Sequence, residues 1–250
     1  MTEFLDGPAG RRIAYNLTEG QGPCVVFLGG FRSDMQGTKA IWLEDWARAR
    51  GQAFLRFDYS GHGESDGAFE DGCIGDWLAD ALAVIGAVTR GPVVLVGSSM
   101  GGWISLLAVR ALAARVMGLV TIAAAPDFTE RGFWSGMSAA QRAELSSLGR
   151  LLRPSDYGDP YVITRRLIED GRAHQVLAAP LTLPFPVRFL QGTADEDVPM
   201  AWALDLLAHA TGDDLRLVLV KGADHRFSTA DCLSLIGQSV TQVLEAVSGQ

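Results

Sequence analysis

The chain has 250 residues, 48% of them hydrophobic, which is enough to fill the core of one large α/β domain. Its 29 acidic residues outnumber its 21 basic ones, and the formal charge is -8 at pH 7, with the basic residues scattered along the chain. These features argue against nucleic acid and against an anionic membrane surface as partners. No segment approaches the roughly 18 uninterrupted apolar residues of a membrane span.

The N-terminal sequence and the cysteines are the features that bear on location. The N-terminus, MTEFLDGPAGRR, contains Glu3 and Asp6 and no long apolar run, so we expect neither a signal peptide nor a transit peptide. Cys24, Cys73 and Cys232 lie far apart without a C-x-x-C pair, which fits reduced thiols better than a disulfide framework or a zinc site. The expected location is the cytoplasm.

Short apolar runs alternate along the chain with segments of helical spacing. The runs that predict strands are Cys24–Leu28, Ala53–Phe57, Val93–Val96, Leu119–Ile122, Val187–Leu190 and Leu215–Val220. Helical spacing occurs at Ile41–Ala47, Trp77–Ile85, Ile104–Leu112 and Leu233–Val247. This alternation is typical of βα units, and strands that are apolar throughout are covered on both faces. The predicted fold class is therefore α/β, a doubly wound and mostly parallel sheet in a single domain over residues 1–250.

Residues from about 126 to 186 break this alternation, because no run in them predicts a buried strand. The stretch Ser138–Gln141 has the pattern of a capping box. Asp159–Pro160 predicts a second helix start, and Gly171 predicts its end. We therefore predict a small helical lid inserted between two late strands.

The stretch VVLVGSSMGGW, from Val93 to Trp103, places two serines at the step from a strand to a helix. A sharp turn there holds a serine where substrate reaches it, beside free N–H groups of the helix. The residues two positions before and after the apex need to be small. They are Gly97 and Gly101 for Ser99, but valine and methionine for Ser98. Ser99 is therefore the predicted nucleophile, and the alternative is a tight turn that only caps the helix.

A serine needs an acid and a base further along the chain, at the ends of later strands. Asp195 is the first carboxylate after the strand that ends near Leu190 and is the predicted acid. Asp197 is the second choice, and Asp127 is a less favoured third.

The predicted base is chosen from four histidines. His225 directly follows the last predicted strand, as the chain order requires. His62 precedes the serine in a glycine-rich turn, His174 lies in the predicted lid, and His209 lies on a helix where a surface position is expected. The expected donors for an oxyanion are the backbone N–H groups of Met100, after the serine, and of Phe31, in the loop that begins with Gly29–Gly30. These two glycines also fit close packing of the backbone.

With these residues in order, the chain resembles the α/β-hydrolase superfamily over essentially its whole length. Three stretches are similar to the group of palmitoyl-protein thioesterases and acyl-glucuronide esterases: Gly30–Ala40 (GFRSDMQGTKA), Arg56–Gly67 (RFDYSGHGESDG) and Val96–Trp103 (VGSSMGGW). The resemblance implies the α/β-hydrolase fold and a serine hydrolase of carboxylic esters or acyl thioesters, with Ser99, Asp195 and His225 at the positions of the Ser-His-Asp triad. Without a mitochondrial presequence, a bacterial-type relative is expected. Gly29–Gly30 also replaces the His-Gly of many members, which leaves backbone donors in place.

The expected mechanism is acyl transfer through an acyl-enzyme, with a small ester or acyl thioester, or an acylated protein, as substrate. A carbon-carbon bond hydrolase or a peptidase uses the same triad, and a silent ligand-binding module is a further alternative. Ser99 argues against a dehalogenase and an epoxide hydrolase, which need a carboxylate at its position. The chain has no phosphate-loop, dinucleotide or H-E-x-x-H motif, so neither a cofactor nor a metal is expected.

The substrate pocket is expected under the lid. Four apolar residues, Phe128, Phe133, Trp134 and Met137, are predicted to cover an acyl chain, although they also fit the packing of the lid onto the domain. Arg32 lies next to the expected oxyanion donor, where it either meets a carboxylate of the substrate or stays solvated.

Overall fold

Most of the strands form one central sheet in the computed structural model, which describes residues 1–153 and 160–248. In chain order the strands of these residues are β1 (Glu3–Asp6), β2 (Arg12–Thr18), β3 (Gln21–Leu28), β4 (Gln52–Phe57), β5 (Val93–Ser98), β6 (Val116–Ile122), β7 (Arg150–Arg153), β8 (Tyr161–Thr164), β9 (Leu181–Thr182), β10 (Val187–Gly192), β11 (Ala210–Thr211) and β12 (Leu215–Val220). The α-helices are α1 (Thr38–Arg50), α2 (Ile74–Val88), α3 (Met100–Ala111), α4 (Ala139–Leu148), α5 (Arg165–Ala173), α6 (Met200–His209) and α7 (Ala230–Ser248).

The central sheet has eight strands among the described residues, in the order β1-β2-β4-β3-β5-β6-β10-β12. Strand β2 pairs antiparallel with β1 and β4, and the remaining neighbours are parallel. All six residues of β5 are buried, as its unbroken apolar sequence predicts. The predicted α/β fold with a mostly parallel sheet is confirmed, and each of the six predicted strands lies in this sheet. The sequence patterns did not predict β1 and β2.

Helices cover both faces of the sheet, which makes it doubly wound. Apolar residues of α1 and α7 form a core on one face, where Trp46 and Ile236 belong to the same cluster. On the other face, α2 and α3 contribute Trp77 and Trp103 to a second cluster. Parallel strands place their carboxyl ends at one edge of the sheet, and the loops from this edge carry the candidate site.

The chain between β6 and β10 forms the lid predicted from the sequence. Among its described residues are a π-helical turn at Thr129–Trp134, helix α4, the antiparallel pair β7 and β8, and helix α5. The capping box at Ser138 and Gln141 is present, since each side chain hydrogen-bonds the backbone N–H of the other residue. Five buried apolar side chains give the lid its own small core: Met137, Leu145, Leu151, Ile163 and Ile168.

The second lid helix begins later than the sequence predicts. Asp159, the expected cap, lies outside the described residues, and Tyr161–Thr164 form strand β8 instead of a first helical turn. Helix α5 starts after Thr164, whose side chain accepts the N–H of Leu167, and it continues past Gly171 to Ala173. The β-branched residues of YVIT favour a strand, and this preference outweighs the proline signal.

Candidate active site

Ser99 lies at the junction of β5 and α3, with φ 54° and ψ -117°. This backbone conformation is costly for a residue with a side chain, and it persists only where the surroundings hold it. Three backbone hydrogen bonds do so here: the Ser99 N–H donates to Ile122 O (2.9 Å), and the Ser99 carbonyl accepts from the N–H groups of Gly102 (2.9 Å) and Ala125 (3.1 Å). The strained turn is thereby anchored to the end of β6 and to the loop after it.

The glycines on either side of this turn allow the backbone to approach closely. A Cβ atom on Gly97 would lie 2.3 Å from the carbonyl oxygen of Gly101, and one on Gly101 would lie 2.0 Å from the carbonyl oxygen of Leu28. Both positions therefore have to be glycine because helix α3 packs directly on β5 and β3, and not because they touch the Ser99 side chain.

Gly101→Ala is expected to destabilise the protein by at least about 2 kcal/mol, because its Cβ would meet a strand backbone that cannot rotate away. The matched control is Gly86→Ala in helix α2, where a Cβ meets nothing within 4 Å. Alanine has the better helix propensity, so this control should gain about 0.5 to 1 kcal/mol. Urea unfolding of both variants measures the difference. Equal stability of the two would contradict the packing argument.

Three side chains that are distant in sequence form a hydrogen-bonded chain at the sheet edge. His225 Nε2 lies 3.0 Å from Ser99 Oγ, and His225 Nδ1 lies 2.8 Å from Asp195 Oδ2. Asp195 and His225 follow β10 and β12, which pair in parallel, so the two loops leave the sheet side by side. The Asp195 side chain is fully buried, whereas 19% of the His225 side chain is exposed.

Both oxygens of Asp195 accept hydrogen bonds from fixed donors. Oδ1 accepts the N–H groups of Asp197 (3.0 Å) and Val198 (2.8 Å), and Oδ2 accepts Gln191 Nε2 (2.9 Å) in addition to His225. Gln191 is completely buried near the end of β10 and also donates to Val198 O (3.0 Å). The sequence patterns did not single out Gln191, although a polar residue near the carboxyl end of a predicted buried strand is a signal for such a role.

Asp195, Asp197 and His225 offer potential metal-ligating atoms within 4.8 Å of one another. In the structure, however, both oxygens of Asp195 already accept hydrogen bonds from N–H groups. One of these donors is His225 Nδ1. The contacts of this cluster therefore suit a carboxylate that orients an imidazole better than a carboxylate that binds a cation.

The other candidate acid and bases lie in different surroundings. Asp127, with φ 57°, accepts the N–H groups of Val176 (2.9 Å) and Leu177 (3.1 Å), and its burial raises the pKa of the carboxyl. His174 follows the last residue of helix α5, and the half-buried His209 ends α6, where its Nε2 lies 2.9 Å from Ala179 O. Asp127 thus holds a turn of the lid, and the structure brings none of these three residues to Ser99.

The two expected oxyanion donors, the N–H groups of Phe31 and Met100, belong to segments that adjoin Ser99. Met100 is the first residue of α3, and the loop after β3 runs so close that a Cβ on Gly30 would lie 3.4 Å from Ser99 Cβ. Within the described residues, neither N–H group donates to another protein atom. Both are therefore available to an oxyanion formed at Ser99.

Ser99 and His225 open into a cavity of about 720 Å³ beneath the lid. Aromatic side chains form one wall of it: Phe31, Phe128, Phe133, Tyr161 and Trp202. Phe31 is central to this wall, with ring centroids 5.5 Å from Phe128 and 5.7 Å from Phe133. Phe128 and Phe133 thus lie where the sequence analysis expects them, and Tyr161 and Trp202 are additions that only the folded chain identifies.

The structure does not place Trp134 and Met137 at the described wall of the cavity. Met137 is buried in the core of the lid. Two guanidinium groups lie over the ring of Trp134, with the ring centroid 5.0 Å from Arg142 Cζ and 4.5 Å from Arg172 Cζ. Both residues pack within the lid in this structure, and their contact with an acyl chain stays a prediction.

Charged groups also line the cavity. Its cations are Arg32, Lys39, Arg153 and Arg226, and its anions are Asp34, Glu196 and Asp197. Lys39 Nζ donates to Arg226 O at 2.5 Å, and burial lowers its pKa to about 8. The guanidinium of Arg32 lies over the ring of Tyr161, at 5.3 Å, and donates to Pro160 O. Arg32 therefore links the loop after β3 to the lid.

The family profile of alpha/beta hydrolases matches residues 25–237. The mitochondrial palmitoyl-protein thioesterase ABHD10 of Rattus norvegicus is 33% identical over 247 residues, which are 98% of this chain and 83% of the relative. A crystal structure from Agrobacterium vitis S4 is 41% identical with a TM-score of 0.93. Alpha/beta hydrolase domain-containing protein 10 from mouse is 31% identical with a TM-score of 0.91. Each of these two structural matches covers 98% of both chains.

The fold and these matches define the class of protein. The chain belongs to the alpha/beta hydrolase family and is a hydrolase enzyme. Among its relatives it is similar to proteins named palmitoyl-protein thioesterase, as the three sequence stretches predict. No helix among the described residues combines the length and apolar character needed to cross a membrane.

Proposed function

We propose that the protein hydrolyses carboxylic esters or acyl thioesters through an acyl-enzyme on Ser99. The observation that carries this proposal is the hydrogen-bonded chain from Ser99 Oγ through His225 to the buried Asp195. A serine hydroxyl becomes nucleophilic when a neighbouring base takes its proton. His225 Nε2 is within hydrogen-bond reach of that proton, and Asp195 keeps Nδ1 protonated so that Nε2 is the basic nitrogen.

The reaction has two acyl-transfer steps. In the first, His225 removes the proton of Ser99 as Oγ attacks the acyl carbonyl, and Asp195 stabilises the imidazolium that forms. The N–H groups of Phe31 and Met100 bind the oxyanion of the tetrahedral intermediate. The leaving group departs, and His225 supplies a proton where an alkoxide needs one. In the second step, His225 activates a water molecule that releases the acyl group.

The acyl group lies against the aromatic wall formed by Phe128 and Phe133, since this wall is the apolar part of the cavity. Support for a thioester comes from the relatives, which are named palmitoyl-protein thioesterases. A thiolate leaves without a proton and an alkoxide gains from one, so the same three residues serve both substrates. The substrate is accordingly a small ester or acyl thioester, or an acylated protein. The cytoplasmic location expected from the sequence stays a prediction.

The test is a comparison of kcat/KM across acyl lengths for matched oxygen and sulfur esters, with the Ser99→Ala variant as the blank. We expect turnover of both series, with the thioesters favoured where release of an alkoxide limits the rate. If neither ester series were cleaved but a peptide or a carbon-carbon bond were hydrolysed, the same residues would be assigned to that other reaction. Failure of a fluorophosphonate to label Ser99 would favour a module that binds ligands without chemistry.

A further inference from the structure

The glycine turn, residues 58–67, follows β4 and has the sequence DYSGHGESDG. The proposed chemistry does not use any of its side chains. Two of them nevertheless hold the backbone of the oxyanion loop, residues 29–36. His62 Nε2 accepts the N–H of Arg32 at 3.3 Å, and Asp58 Oδ1 accepts the N–H of Met35 at 2.6 Å. The glycine turn therefore contacts the oxyanion loop just after Phe31 and again near its far end.

The partners of His62 determine its tautomer. Nε2 faces an N–H group and has to accept, whereas Nδ1 lies 3.2 Å from the carbonyl oxygen of Ser60 and has to donate. His62 is only 4% exposed, and burial lowers its pKa to about 4, so the ring is neutral at pH 7. A charged imidazolium would carry protons on both nitrogens and would lose the bond to Arg32.

The backbone that His62 holds is strained. Arg32 has φ 56°, a conformation that residues with side chains avoid unless contacts enforce it. The ring of Phe31 packs at 4.8 Å from Phe69 and 5.9 Å from Trp77, and these two rings also contact His62, at 5.1 and 5.3 Å. One cluster thus contacts both the Phe31 ring and the peptide that follows Phe31, and these groups adjoin the peptide that carries the Phe31 N–H.

We propose that His62 is a positioning residue for oxyanion binding, which holds the Phe31–Arg32 peptide so that the Phe31 N–H faces the oxyanion formed at Ser99. Asp58 supports the same loop through Met35. This inference rests on the proposed function, because it assigns a role in stabilising the oxyanion of acyl transfer.

The chain allows a matched pair of substitutions at His62. A glutamine side chain brings an acceptor to the position of the imidazole Nε2, whereas asparagine reaches only as far as Nδ1. His62→Asn should lower kcat by about 10- to 100-fold with KM changed by less than about 2-fold, because an oxyanion donor acts mainly in the transition state. His62→Gln should keep most of the activity. Tyr59 belongs to the same cluster, and its buried hydroxyl has no hydrogen-bond partner among the residues that the structure describes, so Tyr59→Phe should leave activity unchanged.

A trifluoromethyl ketone inhibitor separates this role from a purely structural one, since it binds Ser99 as an oxyanion. Its Ki should rise in His62→Asn by the same factor by which kcat falls, and it should stay near the wild-type value in His62→Gln. Unchanged kcat and Ki in His62→Asn would overturn the proposal, and so would equal losses in the asparagine and glutamine variants.

Amide hydrogen exchange in the unaltered protein gives a test that does not depend on the folding of a variant. The Arg32 N–H should exchange slowly although the side chain of Arg32 is exposed, and rapid exchange would overturn the role of His62. The proposed function would be contradicted by other results, namely activity in Ser99→Ala or no labelling of Ser99 by a fluorophosphonate. The exchange rate of the Arg32 amide does not depend on either result.

Discussion

Replacement of Ser99 by alanine is expected to lower kcat on a p-nitrophenyl ester by about 10⁴-fold or more, because no other group replaces a covalent nucleophile. Ser98→Ala should keep most of the activity. The two serines are neighbours, but His225 Nε2 is hydrogen-bonded to the hydroxyl of Ser99. Ser98 is the last residue of β5 and is buried, whereas Ser99 is the strained residue at which the chain turns into α3.

Steady-state kinetics of the two variants measure this difference, and labelling by a fluorophosphonate gives a second readout. The label should attach to the wild type and to Ser98→Ala but not to Ser99→Ala. Thermal unfolding should show both variants folded. The opposite ranking of the two serines would move the nucleophile to Ser98 and contradict the geometry of the turn.

Asp195→Asn should lower kcat by about 10⁴-fold at neutral pH, since it leaves His225 in the wrong tautomer. The backbone N–H groups of Asp197 and Val198 both donate to Oδ1, so the oxygen of the new amide has to stay at that position. The amide NH2 then replaces Oδ2 and faces His225 Nδ1 and Gln191 Nε2. A donor against Nδ1 forces the ring proton onto Nε2, which can no longer accept the proton of Ser99.

Asp197→Asn is the matched control, because it makes the same chemical change two residues away at the cavity wall. Its backbone N–H to Asp195 remains, and kcat should stay within about 3-fold of the wild type. A loss in Asp197→Asn as large as that in Asp195→Asn would support the second choice of acid, or a metal held by Asp195, Asp197 and His225. Removal of divalent metal with a chelator would distinguish these two explanations.

The parts of the fold that depend on local pattern were predictable from the sequence. Strand β5 is a short apolar run followed by Gly97 and Ser98. Helix α3 begins at Met100, so only Ser99 separates the strand from the helix. Burial on both faces requires such runs, so the six central strands can be recognised one at a time. Strand β1 escaped prediction because it lies at the sheet edge with most of its residues exposed, and so its sequence has no apolar pattern.

The lid was predictable in position but less so in detail. The capping box at Ser138 is local, because its two hydrogen bonds join residues three positions apart. Strand β8 forms by antiparallel pairing with β7, and the β-branched residues of YVIT favour a strand without specifying that partner. The sequence left two positions open for Trp134 and Met137 for a similar reason, since an apolar side chain in a lid packs equally well on the lid core or on a ligand.

By itself, the sequence determined the α/β class, the strand-to-helix turn at Ser99, and the order in which an acid and a histidine follow it, because these features depend on short-range backbone geometry and on burial. The sequence favoured Asp195 over Asp197 and Asp127, and the tertiary structure shows that Asp195 contacts His225. Only the tertiary structure brought Gln191, Tyr161, Trp202 and His62 to the site. The physical reason is that a hydrogen bond acts over about 3 Å, and only the folded backbone brings residues as distant in sequence as Ser99 and His225 within that distance.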